Sequence, residues 1–160
     1  DLHLSLRRQR QMCLRDRPFI VTVDASEIGM GAVLSQQDKE GNRHPIAYQS
    51  RKCSEVERRY PSIKREALAV LFGLKSFKNI LSGSRSVVET DAAALVYIFR
   101  SGAADEGDAI LARWLGRLQN YDIELKYVPG TKNLEADALS RDPRHEPEDY
   151  KEEVMLAAGD

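Results

Sequence analysis

Residues 19–34 read FIVTVDASEIGMGAVL, and this stretch decides the fold expected of the chain. Its first residues alternate as those of a half-buried β-strand do, with three apolar side chains on one face and Ile20 and Thr22 on the other. The next residue on that second face is a carboxylate, Asp24, and a run of small residues follows it. An aspartate commonly ends a strand and begins a turn, so the rest of the chain must show whether Asp24 has a further role.

The overall composition bounds the class of protein. With 160 residues, 42% of them hydrophobic, the chain is long enough for one compact domain but not for two. No apolar run approaches the roughly 18 residues of a membrane span, and the N-terminal residues lack the apolar region of a signal peptide. Cys13, Cys53 and the three scattered histidines show no metal-like spacing. This fits a reducing compartment and gives no support to a histidine-based zinc site or triad.

Charge divides the chain into two parts. Residues 142–160 hold seven acids against two bases, a net charge of −5 that leaves +4 for residues 1–141. We therefore expect a flexible acidic tail over residues 143–160. The mildly basic body permits a nucleic-acid partner without requiring one. Because the chain begins without Met, we expect it to be part of a longer protein.

Alternation and helical periodicity together predict an α/β fold. The element order is β-β-β-α-β-α-α-β-α, in which three antiparallel strands form a meander and later strands join parallel to the first through crossovers. This predicts a five-stranded mixed sheet with helices packed on both faces. Ligand sites in such sheets lie beyond the carboxyl ends of the strands, where Asp24 and Asp91 stand. The predicted strands after the first are Met30–Gln37, His44–Arg51, Ser84–Asp91 and Tyr121–Val128, and the predicted helices are Ser62–Leu81, 92–102, Ile110–Asn120 and Asn133–Arg141.

Glu66 lies on the apolar stripe of the longest predicted helix, between Ile63 and Val70. An unpaired charge at this position would cost several kcal/mol if it were dry. We expect Glu66 either to sit at a partly wet end of the helix and pair with a nearby arginine, or to face a site where other acids meet. This helix alone leaves both interpretations open.

Asp137 repeats the pattern in the last predicted helix. Leu134, Ala138 and Leu139 are expected to face the core, and Asp137 lies at the edge of that face, where it could also be an ordinary solvated acid. Two strand-end acids and two helix acids aimed at one sheet would repel one another and raise each pKa unless cations neutralise them. Oxygen ligands without His or Cys favour Mg²⁺ or Mn²⁺. Two such ions roughly 4 Å apart catalyse phosphodiester hydrolysis.

The order of short motifs along the chain is more specific than any one of them. Residues 18–142 carry, in this order, TVDAS, GxGAVLSQ, HPIAYQSR, KREALAV, ETD, ARWLGRLQNYDIELKYVPGTKN and EADALSR. In this order they resemble the ribonuclease H domain of gypsy-type LTR-retrotransposon reverse transcriptases. The resemblance implies a ribonuclease H-like fold and cleavage of the RNA strand of RNA/DNA hybrids with two Mg²⁺ ions per site, or Mn²⁺ as an alternative. It maps the catalytic, metal-binding acids onto Asp24, Glu66, Asp91 and Asp137.

The same resemblance implies domain boundaries, partners and a location. It implies one folded domain over residues 18–142 after a leader over residues 1–17. The leader would join an upstream reverse transcriptase polymerase, and the tail would lead toward an integrase, with no membrane contact. The location implied is intracellular, in a cytoplasmic virus-like particle, and a nuclear stage is left open. Recognition of the hybrid would rest on its shape, phosphates and 2′-hydroxyls. The candidates for substrate binding are Ser26, Ser62, Asn133 and Arg113, each of which could instead be a structural cap or a solvated group, whereas Trp114 is expected in the core.

Two departures bear on activity, the first from the gypsy-type pattern and the second from ribonucleases H more widely, which often place a histidine in a longer loop before the last acid. The third acid is followed by AAAL over residues 92–95 where related domains carry an HKPL-like stretch, so side chains that could touch substrate are missing while helix formers remain. The loop before Asp137 is short and has no histidine, as is usual for the gypsy group, which predicts slow product release. The sequence also lacks the basic protrusion found in some cellular relatives.

Three functions stay open from the sequence. The leading one is a metal-dependent endoribonuclease that acts on RNA/DNA hybrid during reverse transcription. The second is a catalytically weakened or domesticated ribonuclease H-like domain, kept as a structural or nucleic-acid-binding module, with the alanine run marking lost substrate contact. The third, a non-specific nuclease or integrase of the same superfamily, is disfavoured by the number and spacing of the acids.

Overall fold

A computed structural model describes residues 17–102 and 108–141 of the chain. The predicted acidic tail and all but the last residue of the predicted leader therefore lie outside the described residues, as does most of the loop predicted between the second and third helices. No helix within the described ranges is long and apolar enough to cross a lipid bilayer.

Five strands of the described chain form one mixed sheet. They are β1 (Phe19–Ala25), β2 (Gly29–Gln37), β3 (Arg43–Lys52), β4 (Ser86–Thr90) and β5 (Ile123–Tyr127). Their order across the sheet is β3-β2-β1-β4-β5. β1, β2 and β3 pair antiparallel, whereas β4 and β5 extend the other edge in parallel. The predicted meander with parallel additions is confirmed, because the helical crossovers return each later strand in the direction of the first.

The helices follow the prediction with one break. The described residues form α1 (Glu55–Arg58), α2 (Ser62–Ser76), α3 (Lys78–Leu81), α4 (Ala93–Ser101), α5 (Ala109–Leu118), a 3₁₀ turn (Gly130–Lys132) and α6 (Leu134–Arg141). The single helix predicted over Ser62–Leu81 is wrong in one respect, since Phe77 has φ −104° and ψ 12° and separates α2 from α3. The apolar residues that extended the period are nonetheless buried. Periodicity reports which face is buried, not whether the backbone is continuous.

α1 is an addition to the predicted elements. It follows a capping box in which the Glu57 N–H donates to the Ser54 hydroxyl and the Ser54 N–H donates to the Glu57 carboxylate. Arg51 on β3 forms a bidentate ion pair with the same carboxylate at 2.7 and 2.9 Å, and both side chains are buried. This polar stretch can pack against the sheet because its buried charges are paired and hydrogen-bonded.

β1 is buried on both faces, which corrects its prediction as a half-buried strand. Val21 and Val23 face α2 so closely that a Cβ on Gly73 would lie 3.1 and 2.9 Å from their Cγ1 atoms. On the other face, Ile20 and Thr22 are also buried. The strand lies in the middle of the sheet, and a second helix, α6, covers the face opposite α2. Helices therefore pack on both faces, as predicted.

α6 covers that second face through a very close contact. A Cβ on Gly31 of β2 would overlap the carbonyl oxygen of Ala136 and lie 2.9 Å from the Ser140 nitrogen, so only glycine fits there. Ala136 and Ser140 are fully buried, whereas Leu134 is 68% exposed. The inward face predicted from Leu134, Ala138 and Leu139 is therefore wrong for Leu134 and Ala138, which are exposed, because small residues are needed where the helix backbone touches the strand. Leu139 is half-buried, with its Cβ against Gly31.

Candidate metal centre

Three of the predicted acids converge at one end of the sheet. Asp24 lies near the end of β1 and Asp91 directly follows β4, and the parallel register that pairs Thr22 with Glu89 brings these two acids level. Glu66 joins them from the second turn of α2. One carboxylate oxygen from each of the three lies within 4.8 Å of the others. The arrangement follows from the fold, since the carboxyl ends of parallel neighbours meet at one edge.

Glu66 is a buried acid whose carboxylate is only partly hydrogen-bonded. It is 6% exposed, and its carboxylate accepts a hydrogen bond from the backbone N–H of Ala25. Its Oε2 atom is buried without a hydrogen-bond partner among the described residues. Within the described residues Glu66 does not form the arginine ion pair considered from sequence, and the neighbouring Arg65 donates to the carbonyl of Arg58. Glu66 therefore faces the other acids.

Burial and mutual repulsion make this cluster hard to ionise. Burial, with repulsion from Asp24 and Asp91, raises the pKa of Glu66 to about 8. Burial also raises the pKa of Asp24 to about 6, although a hydrogen bond from Ser140 opposes the shift. Near neutral pH the metal-free cluster therefore retains protons that a cation would displace.

Asp137 stands at the rim, outside the close group of three acids. It lines the same cleft, and its charge contributes to the raised pKa of Asp24. Arg141, one turn later on α6, donates to its carboxylate at 2.8 Å. Asp137 is half-buried there, and its role as a metal ligand stays a prediction.

The cleft around these acids has a volume of about 600 Å³ and includes two of the predicted substrate-binding residues. Ser62 is exposed at its lip, at the first residue of α2. Ser26 is engaged structurally, since its hydroxyl donates to the carbonyl of Ser140 at 2.7 Å and accepts from the Gly29 N–H at 3.1 Å. Ser62 is thus the better placed of the two to meet a ligand.

The other two predicted substrate-binding residues lie elsewhere. Asn133 is 2% exposed, and its amide donates to the carbonyl of Val23 at 2.9 Å. It lines a separate cavity of about 310 Å³ on the α6 face of the sheet, where its bond to Val23 is structural, and its role in substrate binding stays a prediction. Arg113 is half-buried on α5 and does not line the acidic cleft. The neighbouring Trp114 is in the core as predicted, with its ring 5.7 Å from that of Tyr60.

Ser140, which was not among the predicted site residues, contacts the acidic cluster directly. Its hydroxyl lies 2.7 Å from Oδ2 of Asp24, and its side chain is fully buried. The available signal is its spacing, since a residue three positions after Asp137 shares its side of a helix. Arg65 and Arg141 also line the cleft without having been predicted to do so.

The residues present fit a hard divalent cation. Three carboxylates converge with no histidine or cysteine among them, and a buried oxygen of Glu66 lacks a hydrogen-bond partner within the described ranges. Oxygen-only sites of this kind suit Mg²⁺ and Mn²⁺ better than zinc.

A family model described as "RNase H-like domain found in reverse transcriptase" matches residues 15–121. The chain belongs to this family. The matched range of this RNase H-like domain includes Asp24, Glu66 and Asp91 and ends before Asp137. The ribonuclease H resemblance expected from the motif order is thereby confirmed at the level of the family.

Curated relatives come from retrotransposons. The domain is 41% identical over 128 residues to a retrovirus-related Pol polyprotein from transposon opus of Drosophila melanogaster, and 36% identical over 126 residues to that from transposon 297. Each match covers 79% of this chain but only 12% and 11% of the relative. A polyprotein of transposon Tf2-3 from Schizosaccharomyces pombe is 33% identical, with 78% of this chain and 10% of that protein covered. The chain therefore spans about a tenth of the length of these relatives.

Solved structures share the fold at low identity. The RNase H-like domain superposes on LC11-RNase H1, isolated from compost, with a TM-score of 0.60 at 16% identity, covering 79% of this chain and 94% of that one. The same enzyme in complex with RNA/DNA hybrid gives a TM-score of 0.59 at 17% identity, covering 78% of this chain and 95% of that one. The foamy viral protease–reverse transcriptase gives a TM-score of 0.56 at 19% identity, covering 71% of this chain and 24% of that one. These likenesses confirm the ribonuclease H-like fold.

Proposed function

We propose that this domain is a metal-dependent endoribonuclease that hydrolyses the RNA strand of RNA/DNA hybrids during reverse transcription. The observation that carries the proposal is the group of three converging carboxylates, of which Glu66 keeps a buried oxygen without a partner in the described structure. The raised pKa values of Asp24 and Glu66 support it, because they express an electrostatic strain that a cation would relieve.

Asp24, Glu66, Asp91 and Asp137 are the proposed ligands of two Mg²⁺ ions, with Mn²⁺ as an alternative. When bound, such a pair activates water and stabilises the leaving oxygen of a phosphodiester. The chain itself fixes the ligands: the Ala25 N–H holds the Glu66 carboxylate, and burial keeps competing water away from it. Asp91 and Asp137, which are more exposed, stand on the side from which substrate would enter.

The proposed substrate is an RNA/DNA hybrid. Its support is the membership of a reverse-transcriptase domain family and the likeness in fold to an RNase H1 solved with such a hybrid. The relatives are Pol polyproteins, so we propose a polymerase upstream and an integrase downstream in the same chain. The proposed location is the cytoplasmic virus-like particle of the element, with a nuclear stage left open.

Cleavage of labelled substrates tests this function. The chain with Mg²⁺ or Mn²⁺ should cut the RNA of a hybrid while leaving matched single-stranded RNA, double-stranded RNA and double-stranded DNA intact. A burst followed by slow turnover would support the predicted slow product release, and a linear time course at full rate would contradict that part. Equal cutting of duplex DNA or single-stranded RNA would instead identify a non-specific nuclease.

The alanine run supports a second candidate, a ribonuclease H-like module that binds nucleic acid without cutting it. Ala92 lines the cleft and Ala94 is exposed, so substrate contacts could be missing at both positions. The triple change Ala92→His, Ala93→Lys and Ala94→Pro restores the family-like stretch, and proline is tolerated in the first turn of α4. A weakened enzyme should gain a several-fold lower KM for hybrid. A binding module should stay inactive while binding the hybrid more tightly.

A further inference from the structure

Ser140 joins two elements that carry the proposed metal ligands. It lies on α6 with Asp137, and its hydroxyl reaches across to Oδ2 of Asp24 on β1 at 2.7 Å. We propose that Ser140 is a positioning residue for the metal centre, which fixes the Asp24 carboxylate and holds Asp137 of α6 in register with it. This inference rests on the proposed metal-dependent function.

The direction of the hydrogen bond follows from the strength of the acceptors. The Ser140 oxygen also lies 2.8 Å from the carbonyl oxygen of Asp137, but a hydroxyl has a single proton to donate. An ionised carboxylate is the stronger acceptor, so with Asp24 charged the proton is directed to its Oδ2. One site on that oxygen is then used, and Oδ1 stays available to a cation. The carboxylate plane of Asp24 is thereby fixed before a cation arrives.

Water is poorly placed to replace this donor. Asp24 is 6% exposed and Ser140 is fully buried. Within the described residues, Ser140 provides the side-chain hydrogen bond to Asp24. Removing the hydroxyl would leave a buried carboxylate oxygen with one donor fewer, a loss that is larger for charged than for neutral groups.

The backbone of Ser140 is held as firmly as its side chain. Its carbonyl accepts the hydroxyl of Ser26, which lies two residues after Asp24. Its nitrogen lies against Gly31, at 2.9 Å from where a Cβ on that glycine would be. The donor is therefore fixed from three sides, by the end of β1, by β2 and by its own helix. A rigidly held donor can set the orientation of a ligand, as surrounding hydrogen bonds do at metal sites generally.

Binding of Mn²⁺ alone to the complete chain tests the inference. The loss of free Mn²⁺ signal in electron paramagnetic resonance gives Kd for the unaltered chain, Ser140→Ala and Ser140→Cys. We expect both variants to raise the Kd roughly tenfold, because the lost interaction is a hydrogen bond to a charged group. The Mn²⁺ concentration for half-maximal hybrid cleavage should rise by a similar factor, with an unchanged KM for hybrid.

The matched control is Ser35→Ala, which removes another buried hydroxyl, on β2, that lies 3.5 Å from the carbonyl oxygen of Ile20. It should leave Mn²⁺ binding unchanged. The cysteine variant fills the space of the hydroxyl with a somewhat larger atom and has only a weak donor, so it separates loss of the hydrogen bond from loss of packing. Wild-type affinity in Ser140→Cys together with weak binding in Ser140→Ala would assign the effect to packing and overturn the inference.

The outcomes also separate this inference from the function on which it rests. If the unaltered chain binds Mn²⁺, Asp24→Asn does not, and both Ser140 variants bind like the control, only the inference fails. If the unaltered chain and Asp24→Asn are alike in binding no Mn²⁺, the metal-dependent function fails and the inference fails with it.

Discussion

At the residue scale, the central feature is a pair of buried acids whose ionisation opposes folding. The pKa of Glu66 is raised to about 8 from 4.5, and that of Asp24 to about 6 from 3.8, chiefly by burial. Each unit of such a shift corresponds to about 1.4 kcal/mol between the two protonation states. These acids are therefore placed where they weaken the metal-free fold, which is typical of functional rather than structural carboxylates.

The sign of the pH dependence follows from these raised values. Between about pH 4 and pH 8 the folded protein binds more protons at Glu66 and Asp24 than the unfolded chain does. Their contribution to the free energy of unfolding is thus full below the unfolded pKa and is lost as pH rises through the folded one. We expect Glu66→Gln to be more stable than the metal-free wild type by about 4 kcal/mol at pH 8 and equal to it at pH 4.

Urea unfolding with a chelator at pH 4, 6 and 8 measures this difference. Subtracting the free energy of unfolding of the wild type from that of the variant at each pH removes the contribution of groups elsewhere, such as Asp38, whose pKa is lowered by a hydrogen bond with His44. Excess Mn²⁺ should stabilise the wild type at pH 8 but not the variant, because ligand binding stabilises only a fold that has the site. A difference that does not grow with pH would contradict the account.

At the element scale, the docking of α6 is what completes the cleft. The helix places Asp137 and Ser140 beside the end of β1, and the absence of a side chain on Gly31 permits that approach. Asn133 strengthens it from the start of the helix, through its hydrogen bond to the carbonyl of Val23. The helix is thus held by several short contacts rather than by a large apolar face.

Gly31→Ala should displace α6. The added methyl group would overlap the backbone of the helix, so we expect a loss of about 1 to 3 kcal/mol in the free energy of unfolding and a weaker binding of Mn²⁺. Gly116→Ala is a suitable control, because no described atom outside its own helix turns lies within 4 Å of that added Cβ and alanine favours the interior of α5. Urea unfolding and Mn²⁺ titration of both variants measure this, and equal behaviour of the two would show that the close contact is unimportant.

Much of the fold could be predicted because its signals are local. Alternation over β1 and the three- and four-residue spacing of α2 mark buried faces directly, and the crossover rule then gives the parallel strands. The break at Phe77 leaves the apolar spacing intact, so periodicity could not reveal it. The helix α1 was missed because its polar residues show no apolar periodicity, although its Ser54–Glu57 capping box is a local signal; the buried pairing of Glu57 with Arg51 is visible only in three dimensions.

The site was predictable where an acid contradicts its own pattern. Glu66 on an apolar stripe and Asp24 at the end of a buried strand both signal a site within a few residues of sequence. Ser140 and Asn133 carry no such contradiction, since a serine or an asparagine near a helix end is ordinary. Their roles are set by distances to β1 across more than 100 residues of chain, so they become visible only in the structure.

At the scale of the whole molecule, the charge distribution bears on substrate binding. Residues 142–160 carry a net charge of −5 while residues 1–141 carry +4. A polyanionic hybrid would be repelled by the former, and such repulsion is screened by salt. The chain also represents only about a tenth of its polyprotein relatives, so further binding surface is proposed to come from the polymerase part.

Ending the chain after Arg141 should therefore strengthen binding to hybrid at low ionic strength. We expect a several-fold lower Kd at about 0.05 M salt, with the gain disappearing as the Debye length shrinks to about 3 Å near 1 M. Fluorescence anisotropy of a labelled hybrid, read with Ca²⁺ in place of Mg²⁺ to limit cutting, measures both forms. A chain of the same length with the acids of the tail changed to Gln or Asn should behave like the shortened one. Equal affinities at low salt would show that the tail charge does not matter.

The most direct test of the central claim is the rate of hybrid cleavage in Mg²⁺ by single variants of the acids. Asp24→Asn, Glu66→Gln and Asp91→Asn should each lower kcat at least about a hundredfold, the scale seen when one preorganised charge-stabilising group is lost. The exposed acid Glu124, which lies toward the other end of the sheet, provides Glu124→Gln as the control that should keep the wild-type rate. Cutting at the wild-type rate by any of the three variants would contradict a metal centre built on these carboxylates.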